Sequence, residues 1–276
     1  MRVDYHIHSG FSHDSSYPME RVLQDAIACG MDEICFTEHV DYGVKDDWDC
    51  GHPFVERNGY VMYNANYPVY LARLRELQAK YAGKITARAG LEYGVQVQTI
   101  PQYEVLYKKY PLDFILLSIH QIENKEFWTQ DYQREHTQRE YNERYYQELL
   151  NVVRQFKHYS VLAHMDLIVR YDKQGRYPFE AVKDYVAEIL KTVIADGRGI
   201  ELNTSSHRYG LDDTTPSGDI LRLYRDLGGE ILTIGSDTHR PGQVGGYFDE
   251  ACALLKGYGF RYFCTYDAMK PTMHRL

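Results

Sequence analysis

Short apolar runs and amphipathic stretches alternate along this chain in a repeating order. The first eight residues alternate apolar and polar positions and end in His6-Ile7-His8. Residues two apart in a strand share a face, so this spacing sets two imidazoles side by side. A polar loop, Ser9 to Tyr17, leads to a helix opened by Pro18 that runs to about Cys29 and closes at Gly30. Asp32 to Phe36 reads as a buried strand that runs into Thr37-Glu38-His39. Residues 40–59, rich in Asp, Gly and Pro, predict a long functional loop. A helix is expected over 67–81, then a strand over 85–91 that delivers Glu92, and a helix near 102–109. The apolar strand Asp113 to Ser118 precedes His120, and a long tyrosine-rich helix is expected over 134–156. A short strand over 160–163 ends in His164-Met165-Asp166. The clearest amphipathic helix spans Phe179 to Ala195, with Val182, Val186, Ile189, Leu190 and Val193 on one side. Gly199 to Leu202 is a strand ending at Asn203, and 216–227 a helix. The strand Glu230 to Ile234 leads straight into Gly235-Ser236-Asp237-Thr238-His239. A helix over 243–256 and a terminal strand over 260–265 complete the pattern.

Seven strands alternating with helices imply parallel βαβ units and an α/β fold. No linker or low-complexity stretch divides the chain, so residues 1–276 are expected to form a single domain. Six strands deliver a His, Asp or Glu at or just past the carboxyl end, and the seventh delivers Asn203. In a β/α barrel those ends meet on one face, where active sites sit. Residues more than 230 positions apart would thereby converge in one cluster. Imidazole and carboxylate together are metal ligands that suit zinc, manganese or iron(II) without choosing among them.

Composition narrows the partners. A chain that is 44% hydrophobic and 25% charged is globular in profile. Its net charge of −8 argues against nucleic acid and anionic membranes as partners. No apolar run approaches the roughly 20 residues of a membrane span, and charged residues from Arg2 onward do not read as a signal peptide. Five scattered cysteines, an odd number without C-x-x-C spacing, suit a reducing cytoplasm better than a disulfide framework. The 26 tyrosines are expected to be half-buried rings packing helices.

With these residues assembled, the chain resembles the polymerase-and-histidinol-phosphatase (PHP) family. The matching pieces are His6-x-His8, Thr37-Glu38-His39, Glu92, Ser118-Ile119-His120, His164-x-Asp166 and Gly235-Ser236-Asp237-Thr238-His239, in the family order. The resemblance implies a distorted (βα)7 TIM-like barrel holding two or three divalent metal ions. Carried over by position, one metal takes His6, His8, Glu92 and Asp237. Glu92 bridges to a second held by His120 and His164, and a third takes His39, His239 and Asp14. For the loop ligand Ser12-His13-Asp14 offers two candidates, of which Asp14 is preferred. Within the family the likeness is to free-standing bacterial histidinol-phosphate phosphatases rather than polymerase-attached domains. On that likeness Arg170 and Arg208 clamp the phosphate of a small-molecule phosphate monoester, through fork-shaped donors.

The implied reaction is metal-dependent hydrolysis of L-histidinol phosphate by a metal-bound hydroxide, with Asp237 or His239 moving the proton to the leaving alkoxide. Competing readings are a PHP-type phosphodiesterase or nucleotide hydrolase, and a non-catalytic metal-binding module. Several residues carry lesser expectations. Glu38 should orient His39, and Asp166 should support a ligand rather than be one. His52, His136, His158 and His274 read as solvated, and Trp128 as loop packing more than as a wall of the site. His207 is open between substrate contact and loop surface, and Arg240 between phosphate binding and an ion pair.

Overall fold

A computed structural model describes all 276 residues. In chain order the strands begin with β1 (Val3–Ile7), β2 (Glu33–Val40), β3 (Val55–Arg57), β4 (Tyr60–Met62), β5 (Thr86–Gly94) and β6 (Phe114–Ser118). They continue with β7 (Gln121–Ile122), β8 (Lys125–Glu126), β9 (Val161–Leu162), β10 (Gly199–Asn203), β11 (Leu232–Gly235), β12 (Tyr262–Asp267) and β13 (Lys270–Arg275). The helices are α1 (Met19–Ala28), α2 (Tyr67–Lys80), α3 (Ile100–Lys109), α4 (Gln138–Gln155), α5 (Phe179–Ala195), α6 (Gly218–Asp226) and α7 (Phe248–Gly257).

Seven strands form one sheet in the order β1-β2-β5-β6-β9-β10-β11, with every neighbouring pair parallel. The sheet curls until its edges meet, but the seam is not a regular ladder. The His8 amide donates to the Thr238 carbonyl (2.8 Å) and the Thr238 amide to the His6 carbonyl (3.1 Å). Asp4 reinforces the seam by accepting from the Ser236 amide (2.9 Å) and the Gly245 amide (2.8 Å). The expected distorted (βα)7 barrel is therefore present. No helix is long and apolar enough to cross a membrane.

Local chemistry explains where the elements depart from the periodicity. Helix α4 starts at Gln138 rather than near 134, because Thr137 and Glu140 form a reciprocal capping box. Helix α7 starts at Phe248 rather than 243, after Gly245 (φ 64°) and Tyr247 (φ 61°) turn the chain. The loop expected over 40–59 ends in the β3–β4 hairpin, which turns on Asn58 and Gly59, both at positive φ. The expected last strand continues as the β12–β13 hairpin, turning at Ala268 and Met269.

The core joins barrel interior and helix faces in one cluster of 70 buried residues. Tyrosines serve it differently than expected: many are fully buried, with their hydroxyls bonded. Tyr70 donates to the Gly90 carbonyl (2.9 Å), and the single Tyr103 hydroxyl proton is shared between the Val40 (2.8 Å) and Gly94 (2.9 Å) carbonyls. These rings fill apolar volume while satisfying carbonyls along β2 and β5.

Candidate metal centre

At the carboxyl ends of the strands the side chains converge as the sequence spacing implies. His6 and His8 leave β1 on one face, and each Nε2 approaches Glu92 Oε2, at 3.3 and 3.4 Å. Asp237 Oδ1 lies 3.6 Å from His6 Nε2 and 3.8 Å from His8 Nε2. The other Glu92 oxygen, Oε1, faces His120 Nε2 (3.1 Å) and His164 Nε2 (2.9 Å). Asp14 Oδ2 stands between His39 Nε2 (3.4 Å) and His239 Nε2 (3.3 Å). His13 contributes no atom to that cluster; its Nδ1 is 3.7 Å from Asp14 Oδ1. All nine candidate ligands thus come together, with Glu92 two-sided at the centre. Register sets this geometry: His39 lies beside Glu92 in the β2–β5 pairing.

Whether these residues fit metal ions is answered by their unsatisfied atoms. His6 Nε2, His8 Nε2, His39 Nδ1 and Glu92 Oε2 are all buried and have no hydrogen-bond partner. An unmet buried polar atom costs about 1–3 kcal/mol, so four facing one another need a common partner. Groups of three or more donors, such as Glu92, His120 and His164, have ligand atoms within 4.8 Å of one another. Imidazole nitrogens and carboxylate oxygens so placed suit divalent cations.

The electrostatics agree. Burial opposes charge on His6, yet Glu201, Glu92 and Asp237 hold its pKa well above the ordinary value. Burial likewise opposes charge on His39 and His120. Asp14 and Glu92 nonetheless raise His39 to about 10, while Glu92 and Asp41 raise His120 to about 9. His8 moves the other way, lowered by burial and by neighbouring His39 and His239. The carboxylates of Glu92 and Asp237 stay well below their usual range despite burial, held there by the surrounding imidazoles and, for Asp237, also by Arg170.

Supporting residues include two that the sequence reading passed over. Glu201 Oε1 holds His6 Nδ1 at 2.7 Å and its Oε2 accepts from the His164 amide at 2.9 Å. Asp41 Oδ1 holds His120 Nδ1 at 2.7 Å, and its Oδ2 accepts from Lys45 Nζ at 2.6 Å. Carboxylate-to-imidazole bonds of this kind fix the ring and aim the other nitrogen at a metal. A glutamate inside the apolar run Gly199-Ile200-Glu201-Leu202 was the available signal. Asn203 instead accepts from the Ser205 amide (3.0 Å) and donates to Glu201 Oε2 (3.2 Å).

Other expectations need correction. Glu38 does not touch the His39 ring; it accepts from Ser9 Oγ (2.5 Å) and Ser12 Oγ (2.6 Å), and Ser12 meets His8 Nδ1 at 3.1 Å. Asp166 touches no candidate ligand and accepts from the Ser217 amide (3.0 Å). Trp128 does line the cleft, edge-on to Tyr60 at 6.0 Å. His207 stacks on Tyr247 away from the cleft, and exposed Arg240 makes no ion pair. Of the histidines read as solvated, His158 stacks on Tyr107 and meets Glu104 at 3.1 Å, and His274 stacks on Phe263.

The cleft above the cluster encloses about 240 Å³. Arg170 enters it, donating to Asp237 Oδ2 (2.9 Å) and Ser205 Oγ (2.6 Å) and lying 4.2 Å from the Tyr209 ring centroid. Arg208 does not line the cleft; it donates to the Asp237 carbonyl (2.8 Å), and its Nη1 is buried without a partner. Asp237 itself adopts φ 56°, a left-handed backbone that Asp tolerates better than most residues.

A profile of the PHP domain matches residues 4–205. The chain belongs to the PHP family. A histidinol-phosphatase of Lactococcus lactis is 30% identical to this PHP protein, over 98% of the present chain and 96% of its own. A probable histidinol-phosphatase of Thermotoga maritima is 26% identical over 95% of each chain. The crystal structure of the Lactococcus lactis histidinol phosphate phosphatase, complexed with zinc, L-histidinol and phosphate, superposes with a TM-score of 0.81 and 28% identity over 98% of both chains. A putative histidinol phosphatase of Listeria monocytogenes, 19% identical, shares the fold with a TM-score of 0.76, over 90% of this chain and 99% of its own.

Proposed function

We propose that this protein is a metal-dependent phosphomonoesterase that hydrolyses L-histidinol phosphate to L-histidinol and phosphate. The observation that carries the reading is the two-sided Glu92, whose Oε2 faces three buried imidazole nitrogens, His6 Nε2, His8 Nε2 and His39 Nδ1, that have no hydrogen-bond partner within the protein. Zinc, manganese or iron ions held there by His6, His8, Asp14, His39, Glu92, His120, His164, Asp237 and His239 would polarise phosphoryl oxygens and activate a water. The residues of the chain do the rest. Glu201 and Asp41 hold His6 and His120 in one orientation. Arg170, stacked on Tyr209 and braced by Asp237, presents a fixed guanidinium to the phosphate. Arg208, outside the cleft, holds the Asp237 turn by donating to its carbonyl. Asp237, whose Oδ2 pairs with Arg170 and whose Oδ1 lies 3.5 Å from His239 Nδ1, or His239 itself passes the proton of the attacking water to the leaving alkoxide oxygen as the ester bond breaks. Five unpaired thiols fit a cytoplasmic enzyme.

The test is phosphate release by protein loaded with manganese or zinc. L-Histidinol phosphate should be turned over in preference to p-nitrophenyl phosphate, and both far faster than bis-(p-nitrophenyl) phosphate. Faster cleavage of the diester, or no release from either monoester, overturns the reading. Arg170→Ala should cut kcat/KM by about a hundredfold, the worth of a charge-assisted contact pair, while metal content stays unchanged.

A further inference from the structure

We propose that Glu126 determines substrate specificity by pairing with the positively charged part of the leaving alcohol, an inference that rests on the phosphomonoesterase reading. Glu126 closes the β7–β8 hairpin, which begins one residue after His120, and its position is firmly set. The Phe127 amide donates to the His120 carbonyl (3.2 Å), and Gln121 Nε2 donates to the Gly94 carbonyl (2.9 Å). At the hairpin turn the Asn124 amide donates to Gln96 Oε1 and Gln96 Nε2 donates back to Asn124 Oδ1, both at 2.9 Å. The carboxylate is thus tied to the strand end that carries His120.

Glu126 lines the same cleft as Glu92, Asp237 and Arg170, yet it is only 4% exposed and its Oε2 has no hydrogen-bond partner. A buried carboxylate oxygen without a donor is costly unless a ligand supplies one. Neither nearby cation fills that role. Lys45 is committed to Asp41 at 2.6 Å. Arg57 comes no closer than 3.5 Å, makes no hydrogen bond to Glu126, and lies 36% exposed on the β3–β4 hairpin. The rings of Trp128 and Tyr60 line the cleft as well.

The cleft therefore has two chemical sides. Arg170 draws on Asp237, Ser205 and Tyr209, whereas Glu126 neighbours Trp128, Lys45, Asp41 and Arg57. One side seeks an anion; the other, a carboxylate in a cleft shared with two aromatic rings, seeks an ammonium or imidazolium group. A phosphate ester of a cationic aromatic alcohol satisfies both sides at once, whereas a neutral aryl phosphate uses only the first.

Three proteins and two substrates test this: wild type, Glu126→Gln and Arg57→Gln, each with L-histidinol phosphate and p-nitrophenyl phosphate. Glu126→Gln should raise KM for L-histidinol phosphate about tenfold or more, the scale of one lost charged contact. Its kcat/KM for p-nitrophenyl phosphate should stay within about twofold of wild type, which also reports an intact fold. Arg57→Gln should leave KM for L-histidinol phosphate unchanged or lower. Equal losses on both substrates in Glu126→Gln, or an Arg57→Gln variant that reproduces the Glu126→Gln loss, overturn the proposal, because Glu126 would then only anchor the hairpin. Calorimetry with L-histidinol supplies a readout free of catalysis. Binding weakened about tenfold in Glu126→Gln supports the subsite, and unchanged binding overturns it. Wild-type protein that releases no phosphate from either ester overturns the phosphatase reading alone, and the calorimetry still decides on Glu126.

Discussion

The two ends of the barrel treat their carboxylates in opposite ways. At the amino end Glu33 accepts from the Tyr5 hydroxyl and from Arg88 (3.1 Å), and Asp113 accepts from the amides of Ala89 (2.9 Å) and Ala268 (3.1 Å). The Tyr5 oxygen accepts from the Tyr266 amide (2.7 Å), and the Tyr266 hydroxyl donates to the Ser160 carbonyl (3.3 Å). The β12–β13 hairpin supplies several of these bonds and covers that end. At the carboxyl end His6, His8, His39 and Glu92 keep buried atoms unpaired, and Asp237 holds a left-handed backbone. The paired carboxylates at one end stabilise the fold; the unpaired carboxylate and imidazole atoms at the other need a partner from outside the chain.

The difference can be broken from either side. The largest effect is expected at Glu92, which faces both halves of the cluster. Glu92→Gln should lower kcat by about a thousandfold or more, several kcal/mol of transition-state stabilisation, with lost metal read by elemental analysis. Wild-type metal content in that variant would refute its bridging role. At the amino end the effect should fall on stability alone. Tyr266→Ala removes a ring that is 2% exposed and packs on Phe114 at 5.0 Å, and should cost about 3–5 kcal/mol. Denaturant titration measures that loss, and kcat per folded molecule should not change.

Glu201→Gln is the intermediate case, a residue that touches two candidate ligands without being one. It should weaken metal affinity or activity about 10- to 100-fold while leaving circular dichroism unaltered. A smaller change is expected from pH. Without metals, the His39 and His120 pKa values of about 10 and about 9 exceed the ordinary histidine value. A raised histidine pKa adds stability in full below about 6.5, and that stability is lost as pH rises through the folded-state value. Metal-free protein should thus weaken between about pH 7 and 10. Metal uptake near neutral pH should release about one or two protons, measurable in weak buffer. No proton release would mean that the imidazoles are already neutral. Arg240→Ala, at an exposed side chain without an ion pair, is the smallest: stability should stay within about 0.5 kcal/mol and kinetics unchanged.

Much of this was legible beforehand, because strand ends in a parallel barrel share one face whatever their separation in sequence. From His6, His39, Glu92, His120, His164 and Asp237 alone, the alternation of strands and helices implied a cluster, and the PHP resemblance sorted it into sets. Local rules also located α5 and the helix that Gly30 ends, since amphipathic period and a terminating glycine are read over a few residues. What the tertiary structure alone decided is which polar groups meet across the barrel. Glu201 reaches His6 from 195 positions away, and Asp41 reaches His120 from 79. Glu126, looking like loop in sequence, becomes a cleft wall through the β7–β8 hairpin. The seam was equally hidden, because Thr238 pairs with His6 and His8 only once seven strands have curled far enough to bring β1 beside the chain leaving β11. Periodicity reports the face a residue presents to its own element. Partners across a barrel depend on register and curvature, which are set by packing and carry no local signature.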